Sequence, residues 1–208
     1  MANVDIEVTK NFNFLRSLQD KFIAILEGST RSTKTYSIIQ HLIIDKCLAD
    51  PGHVVRCFRF DSVTHNKTTI KDFKEIMLKI NAWDLGRWNG TDKEFKFHNG
   101  SLFAFEGTSN EQKLHGCKQH TAWLNEVMEI PADAFAQISF RTSDRIIMDF
   151  NPSFNHHWVF SEVMTPDRDD WAYQHSTYKD NSFLTPQQIR SIEKYEPTTA
   201  NKKAGTAD

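Results

Sequence analysis

Short apolar runs alternate with stretches of helical period along this chain, and that alternation is what most limits its fold. "FIAIL" (22–26), "HVVRCFRF" (53–60), "HTAWLNE" (120–126), "RIIMDF" (145–150) and "WAYQHSTY" (171–178) have the length of strands. "KTYSIIQHLIIDKCL" (34–48) spaces its isoleucines and leucines as one helix face and stops at Asp50-Pro51-Gly52. Residues 64–80 read as one further helix, with Ile70, Phe73, Ile76, Met77 and Ile80 on a common face. "PADAFAQISF" (131–140) reads as another, opening on proline. "EFKFHNGSLFAFEG" (94–107) alternates around Asn99-Gly100, a dipeptide that tolerates positive φ and signals a hairpin. Strands separated by helices imply a mostly parallel sheet covered on both faces. Such sheets bind ligands beyond the carboxyl ends of their strands, which here are 28–35, 125–126 and 151–152.

A length of 208 residues suits one domain that buries its own core, and 16 phenylalanines supply bulk for it. The net charge of −2 excludes a surface coated in positive charge, so any nucleic-acid contact must be a local patch. Cys47, Cys57 and Cys117 are odd in number and form no C-x-x-C pair, as expected of free thiols in a reducing compartment. His156 and His157 are adjacent and diverge on any regular element, which argues against a chelating pair. With neither a signal peptide nor an apolar run near 18 residues in the sequence, the expectation is a soluble intracellular protein.

The strand-end segments carry the chemistry. "ILEGSTRSTKTYSIIQ" (25–40) has the outline of a phosphate-binding loop, G-x-x-x-x-G-K-[ST], with Thr33 where that pattern has glycine. Backbone N–H groups of 28–35 (Gly28, Ser29, Thr30, Arg31, Ser32, Thr33, Lys34 and Thr35) would surround phosphate oxygens at a helix N-terminus. Lys34 would reach the β- and γ-phosphates as an exposed side chain, and the Thr35 hydroxyl would bind Mg²⁺. Thr33 is tolerable there if the loop does not force positive φ. Taken alone, the loop reads equally as a helix cap. "AWLNEV" is a strand ending in two polar residues, the Walker B arrangement. There Glu126 would activate the attacking water, and Asn125 would face the Mg²⁺ shell through water without contributing charge. A solvated turn is the plain alternative for this pair.

Taken together, "EGSTRSTKT", "VVRCFRF", "FHNGSLFAFEGTSNEQKLHG", "TAWLNEV", "DFNPSFNHHWVF" and "STYKDNSFL" resemble, in order and separation, the ATPase domain of tailed-phage terminase large subunits. The resemblance runs over roughly residues 22–185. It implies a three-layer α/β P-loop NTPase fold of the RecA-like, additional-strand type, with a mostly parallel central sheet. It implies ATP and Mg²⁺ as cofactors, Lys34 and Thr35 as phosphate and metal contacts, and Glu126 as the catalytic carboxylate. It also makes Asn151 a candidate for coupling γ-phosphate state to movement, against a plain strand stop. The implied work is translocation of double-stranded DNA into a procapsid in the host cytoplasm. The implied partners are portal protein, the small terminase subunit and a homo-oligomeric ring.

The sequence departs from the family in two respects. Many members carry an arginine finger four residues before the loop lysine, whereas Arg31 stands three before it, where a surface arginine is the competing reading. The family normally continues into an RNase H-like nuclease, and no second strand-borne acidic cluster follows residue 180, so no nuclease activity is expected of this chain. The expected organisation is an N-terminal extension (1–21), the ATPase domain (22–185) and a C-terminal helix or linker (186–208). Two alternatives remain open at this point: a related RecA-like helicase or translocase, and a nucleotide-binding module that has lost hydrolysis.

Overall fold

The computed structural model describes residues 8–109, 114, 116, 118–152, 156–165 and 167–194. Lys113, Cys117 and the termini 1–7 and 195–208 lie outside them. An eight-stranded sheet runs in the order β3-β4-β5-β2-β6-β7-β1-β8. Its strands are β1 (Ile23–Gly28), β2 (Val54–Arg59), β3 (Gly86–Asn89), β4 (Glu94–Phe97), β5 (Leu102–Gly107), β6 (Gln119–Asn125), β7 (Thr142–Phe150) and β8 (Trp171–Ser176). From β5 to β8 every neighbouring pair is parallel, and β3 and β4 complete one edge in antiparallel fashion. Strand β7 lies between β1, which feeds the loop, and β6, which ends in Asn125-Glu126. This is the additional-strand order that the resemblance implies.

The apolar runs become central strands because both of their faces are covered. In β1, Ala24 and Leu26 point into a core shared with Leu15, Ile38, Ile39 and Phe73, while Ile23 and Ile25 point into the opposite core with Leu124, Val127 and Phe135. The first core lies under α1 (Lys10–Ser17), α2 (Lys34–His41, continued as a wider helical turn over Leu42–Leu48) and α4 (Thr69–Lys79). The second lies under α5 (Ala132–Ser139) and the turn Val159–Val163. A last helix, α6 (Pro186–Glu193), begins with a capping box from Thr185 and Gln188. The Asn99-Gly100 hairpin forms as expected, with Gly100 at φ +87° and Phe95 opposite Phe103.

Two expectations about elements change. Strand β3 lacks a strong apolar alternation and was not anticipated; it adds to the hairpin through Trp88, opposite Phe95. Residues 64–80 form two helices rather than one: α3 (Ser62–Lys67) and α4, separated at Thr68 with φ −124° and ψ −96°. Side chains pull that turn apart. Buried His65 bonds the Thr69 hydroxyl at 2.6 Å and donates from Nε2 to the Glu106 carbonyl at 2.9 Å, and Arg59 reaches the Thr68 hydroxyl at 3.4 Å.

Candidate active site

Strand β1 delivers the chain to the loop through Gly28, where a Cβ would lie 2.1 Å from the Ser176 carbonyl oxygen. Only glycine lets the ends of β1 and β8 approach this closely. The loop then passes through two left-handed residues, Arg31 at φ 68° and Thr33 at φ 69°. The loop therefore does force positive φ at Thr33, contrary to the tolerance the sequence allowed. A β-branched residue is strained there. What holds it comes from α1: buried Asn11 donates to the Ser32 carbonyl (2.9 Å), the Thr33 hydroxyl (3.4 Å) and the Ser176 hydroxyl (3.1 Å). The Thr33 carbonyl accepts from both the amide and the hydroxyl of Ser37, at 2.9 and 2.7 Å. Helix α2 thus begins without a side-chain cap, its N-terminus turned toward the loop.

Lys34 is not the exposed side chain expected from the sequence; it is 7% exposed. Its ammonium folds back over the loop, donating to the Gly28 carbonyl (2.6 Å), the Ser29 carbonyl (3.2 Å), the Ser32 hydroxyl (3.2 Å) and Asn151 Oδ1 (3.0 Å). Burial lowers its pKa, while Asp149, Glu126 and Glu27 pull it back up. A cation held by neutral oxygens next to carboxylates is well prepared to move to a stronger anion.

Glu126 follows the last residue of β6 in a left-handed conformation, φ 53° and ψ 55°. Burial raises its pKa, Asp149 raises it further, and Arg59 and Lys34 oppose both. A half-buried, strained carboxylate whose proton affinity is raised has the properties of a general base. Asn125, 2% exposed, does not offer its amide to the cleft. It donates to both Asp149 oxygens, at 3.1 and 3.2 Å, and accepts from Arg59 Nη1 at 2.9 Å. Asp149 stands opposite Asn125 in the β6–β7 register and also accepts from the Trp123 indole at 2.6 Å. Burial pushes its carboxyl up, and Lys34, Trp123 and Asn125 offset part of that.

These groups share one cleft of about 630 Å³, lined by Ser29 to Tyr36, Glu126, Asp149 and Asn151. The anticipated loop residues, Glu126 and Asn151 are therefore brought together. Arg31 lines the same cleft, exposed, with its carbonyl held by Asn181 at 2.7 Å. Asn125 lies behind the lining. The far wall was not anticipated: Tyr36 and Phe183 meet at 5.4 Å between ring centroids, and the Lys79 ammonium lies over both, at 5.2 and 5.1 Å. Asn11, Arg59 and Asp149 were missed as well. For the last two a signal existed, a charged residue at or near the carboxyl end of an apolar run. Asn11 has no signal in its surrounding sequence.

Comparison with known proteins bears on the family and the fold. The family model described as phage terminase large subunit matches residues 20–204. The PBSX phage terminase large subunit of Bacillus subtilis (strain 168) is 22% identical over 200 residues, covering 83% of this chain and 46% of that protein. The large terminase of a thermophilic bacteriophage, in complex with ADP, superposes with a TM-score of 0.77 at 17% identity, covering 94% of this chain and 52% of that one. The large terminase ATPase domain of Thermus phage P74-26 superposes with a TM-score of 0.64 at 11% identity, covering 94% and 92%. The chain spans about half the length of the first two of these relatives, and its α/β fold is that of terminase ATPase domains. With a family match over nearly its whole length and the loop, β6 and β7 ends meeting in one cleft, the chain belongs to the phage terminase large subunit family.

Proposed function

We propose that this chain is the ATP-hydrolysing part of a viral DNA-packaging motor, with ATP phosphates seated on the backbone of 28–35. The observation that carries this reading is the Lys34 ammonium, buried at an uncapped helix N-terminus and held by loop carbonyls. Phosphate oxygens are stronger acceptors than carbonyls, so Lys34 exchanges one set for the other when nucleotide enters. Asn151, bonded to Lys34 before that exchange, is released by it, and this gives it its coupling role. Glu126 takes the proton of the attacking water, and Arg31 at the cleft mouth faces the charge that develops on the γ-phosphate. The aromatic wall of Tyr36 and Phe183 suits a nucleobase.

The residues present fit a divalent cation, since Thr35 and the carboxylate residues Glu126 and Asp149 line the same cleft. Thr35, with Glu126 and Asp149 at the ends of β6 and β7, is where Mg²⁺ would be held; Asn125, turned to Asp149 and Arg59, does not reach it directly. When bound it supplies charge neutralisation at the phosphates.

In this reading, residues 22–185 form the motor domain, with 1–21 an extension and 186–208 a helix and linker. The thermophilic-phage relative is in complex with ADP, and a further structural relative, from Phi-28, is a DNA packaging motor. By the same analogy the partners are double-stranded DNA, portal protein, the small terminase subunit and further copies in a ring, at a procapsid in the host cytoplasm. Among the described residues no helix is long and apolar enough to cross a membrane.

Glu126→Gln tests the assignment. Its shape is kept and its basicity lost, so ATP turnover is expected to fall by about 10²-fold or more while ATP affinity stays near normal. Undiminished turnover in the variant would remove Glu126 from the chemistry. Wild-type protein that binds ATP and never turns it over, even with DNA and procapsids, would point to a module that has lost hydrolysis.

A further inference from the structure

The β6 strand ends in asparagine where the Walker B pattern has a charge, yet the cleft is lined by Asp149 and Asp72 besides Glu126, and of these Asp149 stands beside Asn125 on the neighbouring strand. We propose that Asp149, one strand over, supplies the charge that Asn125 lacks and orients the water shell of the divalent cation that accompanies the nucleotide. This inference rests on the ATP-site reading above.

Position is the first argument. Asn125 and Asp149 are register partners near the carboxyl ends of the parallel strands β6 and β7, so their side chains leave the same face of the sheet one strand spacing (about 4.8 Å) apart, with β7 the nearer to β1 and its loop. Asp149 lines the cleft together with Lys34, Thr35 and Glu126.

Orientation is the second. Oδ1 accepts from the Trp123 indole at 2.6 Å and from Asn125 at 3.1 Å, and Oδ2 accepts from Asn125 at 3.2 Å. Arg59 fixes the other end of the Asn125 amide at 2.9 Å. Asn125 is thereby a positioning residue for Asp149. It cannot also turn toward the cleft without giving up these bonds.

Charge balance is the third. A carboxylate 1% exposed inside a parallel sheet is strongly disfavoured unless it is paired, and an apolar residue would serve the sheet better. Its cationic neighbours are Lys34 and Arg59. Once Lys34 turns to phosphate oxygens, Asp149 loses part of that balance. A cation entering with the nucleotide restores it, which links metal affinity to nucleotide binding.

The test is calorimetric titration of this chain with the slowly hydrolysed analogue ATP-γ-S, in Mg²⁺ and in EDTA, with Mn²⁺ paramagnetic resonance to count bound cation. Asp149→Asn is expected to leave the EDTA affinity within about threefold of wild type and to reduce the Mg²⁺-dependent tightening by about tenfold or more. The exchange variant Asn125→Asp with Asp149→Asn returns the charge to β6 and is expected to recover most of that tightening. It also decides the matter if Asp149→Asn alone does not fold. Asn125→Asp alone sets two carboxylates in register and is expected to lower stability in the absence of nucleotide. Full Mg²⁺ tightening and Mn²⁺ occupancy in Asp149→Asn would overturn the proposal. So would loss of affinity in EDTA by a folded variant, which would assign Asp149 to the loop, and so would a folded exchange variant with no recovery. If wild type binds no nucleotide, the ATP-site reading itself fails; the other outcomes leave that reading standing.

Discussion

At the residue scale the cleft concentrates backbone strain. Of the five non-glycine residues with positive φ among those described, Arg31, Thr33 and Glu126 belong to it. Strain clustered this way marks a geometry that the surroundings impose. Thr33 is the most informative, because it replaces the glycine of the usual pattern and still adopts the conformation glycine would take. A left-handed L-residue costs about 1–2 kcal/mol, and glycine in its place loses about 0.5–1 kcal/mol more chain entropy on folding. Thr33→Gly is therefore expected to match wild type or exceed it by up to about 1.5 kcal/mol in urea unfolding. The 3.4 Å bond from Asn11 to the threonine hydroxyl is too long to reverse that sign. A clear destabilisation by Thr33→Gly would show that the Thr33 side chain, and not the Asn11 bond to the neighbouring Ser32 carbonyl, holds the loop to α1.

At the scale of elements, the break between α3 and α4 rests on a buried neutral histidine. His65 is fully buried, and burial pushes its pKa down to about 4; His53 is also pushed down to about 4. A base with a depressed pKa is neutral in the fold, while the unfolded chain takes up its proton near pH 6.5. Stability from these groups is complete above about pH 6.5 and is lost as pH falls from there toward about 4. The loss approaches about 3 kcal/mol per histidine at the lower end. Unfolding midpoints measured between about pH 7.5 and 4.5 should fall accordingly. His65→Gln should start lower at the neutral end, having lost the bonds to Thr69 and the Glu106 carbonyl, and should decline less steeply. An unaltered slope would mean that His65 does not carry the pH dependence.

These same elements show how far the sequence could be read. The central strands, the hairpin, the loop and Glu126 follow from local pattern, because apolar period and turn chemistry act over a few residues. The break at Thr68 depends on a carbonyl at Glu106, and the shape of the loop on Asn11 and Ser176, partners 22 and 165 residues from Thr33 and Asn11 respectively. No local pattern encodes such partners. Lys34 could be picked out as a candidate phosphate contact but not as a buried group, since its burial depends on how the loop folds back on it and on where Asn151 arrives.

At the scale of the whole molecule, the question is what a single copy can hold. A motor of the kind proposed must grip duplex phosphates, yet the chain carries a net charge of −2. Lysines that could form a local patch on α4 are already engaged. Lys71 lies 3.8 Å from Glu75, and the Lys74 ammonium sits over the Trp88 ring at 4.5 Å. Lys67 and Lys118 are exposed, on α3 and just before β6, and so do not make a dense stripe. Each phosphate contact adds affinity by releasing counterions, so few contacts mean weak binding without sequence preference and a small salt slope. Fluorescence anisotropy with a labelled duplex at physiological salt is expected to give a dissociation constant in the micromolar range or weaker, with a shallow salt dependence. Replacing Lys67 and Lys118 by alanine should reduce that binding similarly for unrelated sequences. Several copies around one duplex would multiply such contacts into a firm grip without any one subunit holding tightly, which suits a motor that must release and step. Nanomolar, sequence-specific binding by the single chain would contradict this and would make the chain a recognition module instead of a translocating one.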